Sequence, residues 1–183
     1  MTVLLDRLLA PLRALGKPGT AGRRGPVPRV AGLDIDRYMG HWYVIALIPT
    51  RPERGASNAV ECYAKAPDGT IETRFRYRPA QSAKVKIIKA RGFVRPESGA
   101  AVWGMRFIWP FRAQYVIAWL DPDYQSVIVA RDKRDHVWIM ARTPTLAPQA
   151  FDLMASRVAG MGYELARLER VRQTWPEAPE ATH

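Results

Sequence analysis

Between Trp42 and Arg142 the chain breaks into short apolar-rich segments separated by turn sequences at intervals of about ten to fifteen residues. No other feature restricts the fold as much. The clearest segment is TIETRFRY, residues 70–77. In it Ile71, Thr73, Phe75 and Tyr77 share one face, and Glu72, Arg74 and Arg76 share the other. It follows Pro67-Asp68-Gly69, a tight-turn sequence, which makes NAVECYAK (58–65) its hairpin partner. VKIIKARGFV (85–94) breaks alternation at Ile87-Ile88, and that break predicts a bulge. AVWGMRF, QYVIAWLD, YQSVIVAR and HVWIMAR complete the set, with 121–123 and 131–135 as turns between the last three. Local connections throughout predict an all-β fold, an eight-stranded antiparallel up-and-down barrel rather than a sandwich. A barrel of that size has an interior about wide enough for one small ligand.

The first strand, GHWYVIALI (40–48), is apolar on both faces. If Trp42 faces inward, parity carries Val44, Ala46 and Ile48 inward with it, and the outer face requires a cover. A helix over 148–159 supplies one. Pro148 suits its first turn, and Phe151, Met154, Ala155 and Val158 form one apolar stripe. Upstream, LDIDRYMG (33–40) reads as one helical turn capped by Asp34 and ended by Gly40. Residues 1–16 carry Leu4, Leu5, Leu8, Leu9, Leu12 and Leu15 at helical spacing, and 16–32 are rich in Gly, Pro and Arg. The expected organisation is therefore a leader at 1–32 with an amphipathic helix, a barrel domain at 33–175 and a disordered tail at 176–183.

Charge and reactive groups narrow the function. The net charge of +11 suits an anionic surface. The basic residues form no tract, however, and many alternate with apolar residues along strands, so no nucleic-acid partner is expected. No stretch approaches the ~20 consecutive apolar residues of a membrane-spanning helix. A single cysteine, Cys62, allows neither an intramolecular disulfide nor a cysteine zinc site. His41, His136 and His183 are scattered, and no nucleophile elbow is present. Neither a metal nor another cofactor is expected, no residue is assigned to catalysis, and Cys62 reads as a small buried hydrophobe.

Three stretches resemble the lipocalin family, and within it the bacterial and apolipoprotein D-like branch. Gly40-His41-Trp42 resembles the family's G-x-W signature at the start of the first strand. LDPDY (120–124), with Asp121 and Tyr124, is similar to its second signature. WIMARTPTL (138–146) places Arg142 like the family's arginine at the end of the eighth strand. PERG (52–55) and WPF (109–111) are also similar to the bacterial branch, and the resemblance covers about residues 33–173. It implies that Trp42 fills the closed end of the barrel under the Arg142 guanidinium, whose other donors reach carbonyls of the 34–40 turn. It also implies that the loop at 49–57 lies at the open end.

On that footing the cavity is expected to draw on Val44, Ala46, Ile48, Ile71, Thr73, Phe75, Tyr77, Trp138 and Met140. Trp103, Phe107, Tyr115 and Trp119 are expected to divide between pocket and wall. Arg51 and Arg54, with Lys84 or Lys86 nearby, are candidates to meet a lipid headgroup. The resemblance implies storage or transport of a fatty acid, lysophospholipid or similar small hydrophobic ligand, linked to membrane or envelope maintenance. The alternative is a lipid-modifying or isomerase enzyme that uses the same cavity and Cys62. The expected state is a monomer or weak homodimer. Residues 1–30 are expected to touch an anionic membrane, and the location is expected to be cytoplasmic or membrane-peripheral. The bacterial relatives it resembles are typically outer-membrane lipoproteins, but this sequence shows neither a clear signal peptide nor a lipidated cysteine.

Overall fold

Every connection between the eight long strands is local, and the sheet they build closes on itself. A computed structural model describes residues 25–82 and 84–177. A short helix α1 (Ile35–Tyr38) leads into β1 (Gly40–Ile48), β2 (Ser57–Lys65), β3 (Ile71–Arg78) and β4 (Lys86–Val94). Then come β5 (Val102–Arg106), β6 (Ala113–Leu120), β7 (Ser126–Ala130) and β8 (Val137–Ala141). Helix α2 (Pro148–Gly160) and a two-residue strand β9 (Glu169–Arg170) follow. Each strand from β2 to β8 pairs antiparallel with its neighbour in sequence, and β1 pairs with both β2 and β8. The expected closed barrel with one helix outside it is therefore the observed architecture. The leader helix expected within 1–16 and the end of the tail at 178–183 lie outside the described residues.

Two apolar clusters divide the molecule. The inner one contains Trp42, Val44, Leu47, Tyr63, Ile71, Phe75, Tyr77, Trp103, Tyr115 and Met140. The outer one packs Met154 and Val158 of α2 against Ile45, Ala46 and Ile48 of β1 and Ile128 and Ile139 of the neighbouring strands. Ala46 and Ile48 are thus on the outside, contrary to the parity argument. The cause is a bulge in β1: Val44 pairs with Met140 and Ala46 with Ile139, so Ile45 is an extra residue. Beyond it Leu47 takes the inward place. A second shift, between Ile117 and Trp119 in β6, turns Trp119 onto the outer wall, where the Arg157 guanidinium lies 4.7 Å from its ring centroid.

The bulge expected in β4 does not form. Its register with β3 is continuous, with Phe75 opposite Ile88 and Arg76 opposite Ile87. Ile87 simply faces out, 58% exposed, and the broken alternation is a surface isoleucine. Residues 25–32, expected as linker, run along the barrel instead. Val27 is buried in the outer cluster, and its N–H donates to Asp132. The Val30 N–H donates to the Ile117 carbonyl, and Pro26 and Pro28 favour an extended path for the segment between them.

The closed end is organised by Arg142. Its guanidinium sits 3.8 Å from the Trp42 ring centroid. It also donates to the carbonyls of Arg37 (2.7 Å), Tyr38 (3.2 Å), His41 (2.9 Å) and Tyr124 (3.3 Å). The Trp42 indole N–H donates to the Tyr38 carbonyl at 2.8 Å, which ties α1 across the floor. Gly40, at φ +94°, leaves the room required: a Cβ there would stand 3.3 Å from Arg142 Nη1. The turn after β6 completes the lock. Asp121 accepts from the N–H groups of Asp123 and Gln125 at 2.8 Å, and from Ser126. Tyr124 offers its hydroxyl to Asp34 N–H and its ring to the Arg37 guanidinium.

At the open end β2 peels away from β1 after the Tyr43–Val60 pair, and the C-terminal segment fills the gap. β9 pairs with Ala46 and Leu47. The Gln173 amide donates to the carbonyls of Val44 (2.9 Å) and Ala59 (3.0 Å), one on each side of the seam. Glu177 forms ion pairs with Arg76 and Arg78 and accepts from Asn58. Arg76 chiefly, with Asn58 and Arg78, holds the Glu177 carboxyl at a pKa of about 2 in spite of burial.

Two expected outcomes follow from these locks. Arg142→Ala should lose about 3 kcal/mol or more in urea unfolding, because several hydrogen bonds to a charged group and a cation–π contact disappear together. Arg142→Lys should recover little of this, since an ammonium cannot span four carbonyls. For Glu177, the folded pKa lies below the ordinary carboxylate value of 4.5, so its stabilisation is complete above that value and lost as pH falls toward 2. The melting-temperature difference between wild type and Glu177→Gln should therefore be present at pH 6 and shrink steadily below ~pH 4.

Candidate ligand-binding cavity

Below mid-height the barrel is filled by rings. Trp103 stacks on Tyr115 with centroids 5.1 Å apart, and Tyr38 meets Trp42 at 5.1 Å and Tyr63 at 5.6 Å. Above them the side chains stop short of one another and leave a cavity of about 340 Å³, at the lower end of the range typical of small-molecule sites. Its wall is apolar: Phe75 from β3, Ile88 and Ala90 from β4, Met105 from β5, Ala113 from β6 and Met140 from β8. Alternation along these strands puts every second residue inside, and the small alanines make the space.

The mouth is built from the loop after β1 and the turn before β8. Glu53 reaches back from a short 3-10 turn at Arg51–Glu53, where Oε1 accepts from the Trp138 indole at 2.9 Å and Oε2 from the Thr50 N–H at 2.7 Å. Phe107, Gln114 and Arg131 complete the rim of the cavity. Arg131 is its one basic side chain, and it pairs with Asp135 at 3.3 Å.

The lower end is polar. Glu61, Tyr63, Thr73 and Tyr115 line it. The hydroxyls of Tyr38 and Tyr63 each lie 2.7 Å from that of Tyr115, and burial pushes all three phenols well above their usual range. Burial also raises Glu61 to about 8, with the nearby Glu53 charge adding to the effect. Glu61 Oε2 and Thr73 Oγ1 are buried without a hydrogen-bond partner.

Of the expected cavity residues, Phe75, Phe107, Tyr115, Trp138 and Met140 line the space, as does Thr73. Val44, Ile71, Tyr77 and Trp103 face the interior but belong to the packing around it. Ala46 and Ile48 lie under α2. Arg51 and Arg54 are exposed on the loop at the mouth and Lys84 on the loop after β3, while Lys86 stands opposite the inward Tyr77 at the open end of β4 with its side chain in solvent; none of the four lines the cavity. Cys62 falls between the inward Glu61 and Tyr63, opposite His41 and Arg74, and therefore faces away from the cavity. Glu53, Glu61, Tyr63, Gln114 and Arg131 were not singled out from the sequence. For Glu61 a signal existed, since period-2 alternation puts it on the face of Tyr63. Among the described residues no three His, Cys, Asp or Glu side chains gather to hold a metal.

Beside the mouth, the loop from β5 to β6 presents Ile108, Trp109 and Phe111, 74%, 78% and 76% exposed. The guanidinium groups of Arg106 and Arg112 flank it, both over the Phe93 ring at 4.8 and 3.7 Å.

Comparison with known proteins places this geometry. The family model for the lipocalin-like domain matches residues 33–173. Temperature-induced lipocalin-1 of Arabidopsis thaliana is 29% identical over 164 residues, covering 83% of this chain and 87% of the relative. The outer membrane lipoprotein Blc of Citrobacter freundii is 30% identical over 145 residues, 79% of this chain and 81% of its own. Apolipoprotein D of Bos taurus is 25% identical, with 77% of each chain covered. Insecticyanin from the tobacco hornworm Manduca sexta shares the fold at a TM-score of 0.64 and 11% identity, covering 81% of this chain and 85% of that one. Family and fold together support binding of a small hydrophobic ligand, the usual role of such barrels. With the match running from the helical turn before β1 to the strap that seals the barrel, the chain belongs to the lipocalin family.

Proposed function

We propose that this lipocalin carries a single-chain amphiphile, of the fatty acid or lysophospholipid kind, and exchanges it at a membrane surface. The observation that carries the reading is the apolar-walled cavity, open at one end of an otherwise sealed barrel. An alkyl chain entering it leaves water for Phe75, Ile88, Met105 and Met140, and burial of its methylenes supplies most of the affinity at about 0.8 kcal/mol each. An acidic headgroup would remain at the mouth, within the field of Arg131 and the exposed Arg51 and Arg54.

Exchange at a membrane is supported by the rim. Trp109 with Ile108 and Phe111 has the composition that settles at a bilayer interface. Lys84 and Lys86, on and beside the next loop at the same end, add positive charge facing the same surface. The relatives named outer membrane lipoproteins fit a role in envelope maintenance. Cys62, on which the enzymatic alternative depends, faces away from the cavity.

Filling the cavity tests the binding site directly. Ala90→Phe should weaken a fluorescent fatty-acid probe by about tenfold or more while the melting temperature holds, and unchanged affinity would sink the assignment. The rim has its own test. Trp109→Glu with Phe111→Glu should abolish cosedimentation with phosphatidylglycerol vesicles and leave the affinity for the soluble probe unaltered.

A further inference from the structure

The polar lower end of the cavity has more hydrogen-bonding capacity than the protein uses. Tyr38, Tyr63 and Tyr115 bring three hydroxyl protons to two contacts, so one proton is left without an acceptor inside the trio. Beside them Glu61 Oε2 and Thr73 Oγ1 are buried and unpartnered. Buried polar groups in folded proteins are almost always paired, and a cluster of exceptions at the end of a cavity marks a place where something else supplies the partner. The register fixes the cluster. Glu61 stands opposite Trp42 on one side and Phe75 on the other, and Thr73 opposite Tyr63, so the free groups sit directly above the aromatic floor.

The chemistry of the missing partner follows from charge. The cavity's one basic side chain, Arg131, belongs to the turn at the open end. A carboxylate or phosphate at the lower end would therefore be buried beside the acidic Glu61, with no cation to meet it. An ammonium would find one buried carboxylate, but the desolvation of both charges opposes the pair. A hydroxyl meets neither objection, because it donates one hydrogen bond and accepts others.

We propose that the lower end of the cavity is a subsite for an uncharged hydroxyl at or near the far end of the ligand's chain, held by Glu61 and Thr73. The proposal rests on the carrier reading and narrows it to chains oxygenated at the inserted end. Burial holds the Glu61 carboxyl protonated at neutral pH, so Glu61 both donates and accepts there. The hydroxylated chain enters tail first, its headgroup stays at the mouth, and its hydroxyl joins the unused phenol proton, Glu61 and Thr73.

The experiment compares dodecanoic acid, ω-hydroxydodecanoic acid and ω-aminododecanoic acid by quenching of tryptophan fluorescence, since Trp138 lines the cavity. The hydroxy acid should bind wild type about tenfold tighter than the plain acid, because a site built to pair a hydroxyl discriminates against the analogue lacking it. Glu61→Leu and Thr73→Val should erase that preference while still binding dodecanoic acid, which shows that they fold. Glu61→Gln, with a donor and an acceptor in the same place, should retain it. Equal binding of the two acids by wild type overturns the subsite and leaves the carrier reading standing, as does a preference that survives Glu61→Leu. Tighter binding of the amino acid overturns the uncharged assignment. Failure of dodecanoic acid and its hydroxylated form to bind wild type overturns the carrier reading, and the subsite with it.

Discussion

The barrel can be open at one end because the other end is closed by a single cation. Arg142 gathers the carbonyls of Arg37, Tyr38, His41 and Tyr124 and lies on the Trp42 indole. These carbonyls belong to the helical turn α1, the start of β1 and the turn before β7, and the Tyr38 carbonyl accepts from the Trp42 indole as well. A planar guanidinium serves several of them at once, and the indole face beneath it gives the positive charge a second favourable contact. With the floor held by α1 and the turn at Asp121, the rings of Trp42, Tyr63, Trp103 and Tyr115 have a surface to stack on. That aromatic plug provides the dense packing of a core. The space above it can remain unfilled while the plug inside the barrel and the cluster under α2 stay closely packed.

A barrel must also wrap, and single-residue bulges let it: one lies in β2 between Ser57 and Val60, and two more lie in β1 and β6. Ile45 and Ala46 in β1, and Ala118 and Trp119 in β6, each put two successive residues on the outer face. The bulges in β1 and β6 lie on the side that α2 covers, so the additional apolar side chains they turn outward pack in one cluster with Met154 and Val158. The same distortion thus bends the wall and supplies the helix with its contact surface.

Much of this was legible in the sequence. Turn spacing, the TIETRFRY alternation and the helical stripe after Pro148 depend on local chemistry, and local chemistry is what a linear pattern records. The inward residues of the uninterrupted strands followed as well, including Phe75, Trp138 and Met140. What failed was parity across a bulge. An inserted residue changes no composition, and Ile45 is as apolar as the residues around it, so Ala46 and Ile48 were assigned to the wrong face. Ile87-Ile88 produced the opposite error, an irregular pattern on a regular strand. The site's polar end was harder still. Glu61 looks like any strand glutamate, and its significance comes from enclosure by β1, β3 and β6, which no local window contains. The headgroup arginines Arg51 and Arg54 were chosen for position in a loop, but the loop turns Glu53 inward and them outward.

The strap that fills the seam between β1 and β2 makes the order of assembly matter. Gln173 bonds Val44 across 129 residues of chain, and β9 covers the edge of β1 that β2 has left. Contacts of such sequence separation form late, because the loop they close is long and contributes little until it closes. Until they form, Ala46 and Leu47 belong to an exposed sheet edge in one of the most apolar strands of the molecule. Such an edge is a template for pairing with a second chain. Residues 169–177 therefore act as the barrel's own protection against aggregation, and a chain that lost them would be endangered in its solubility before its cavity.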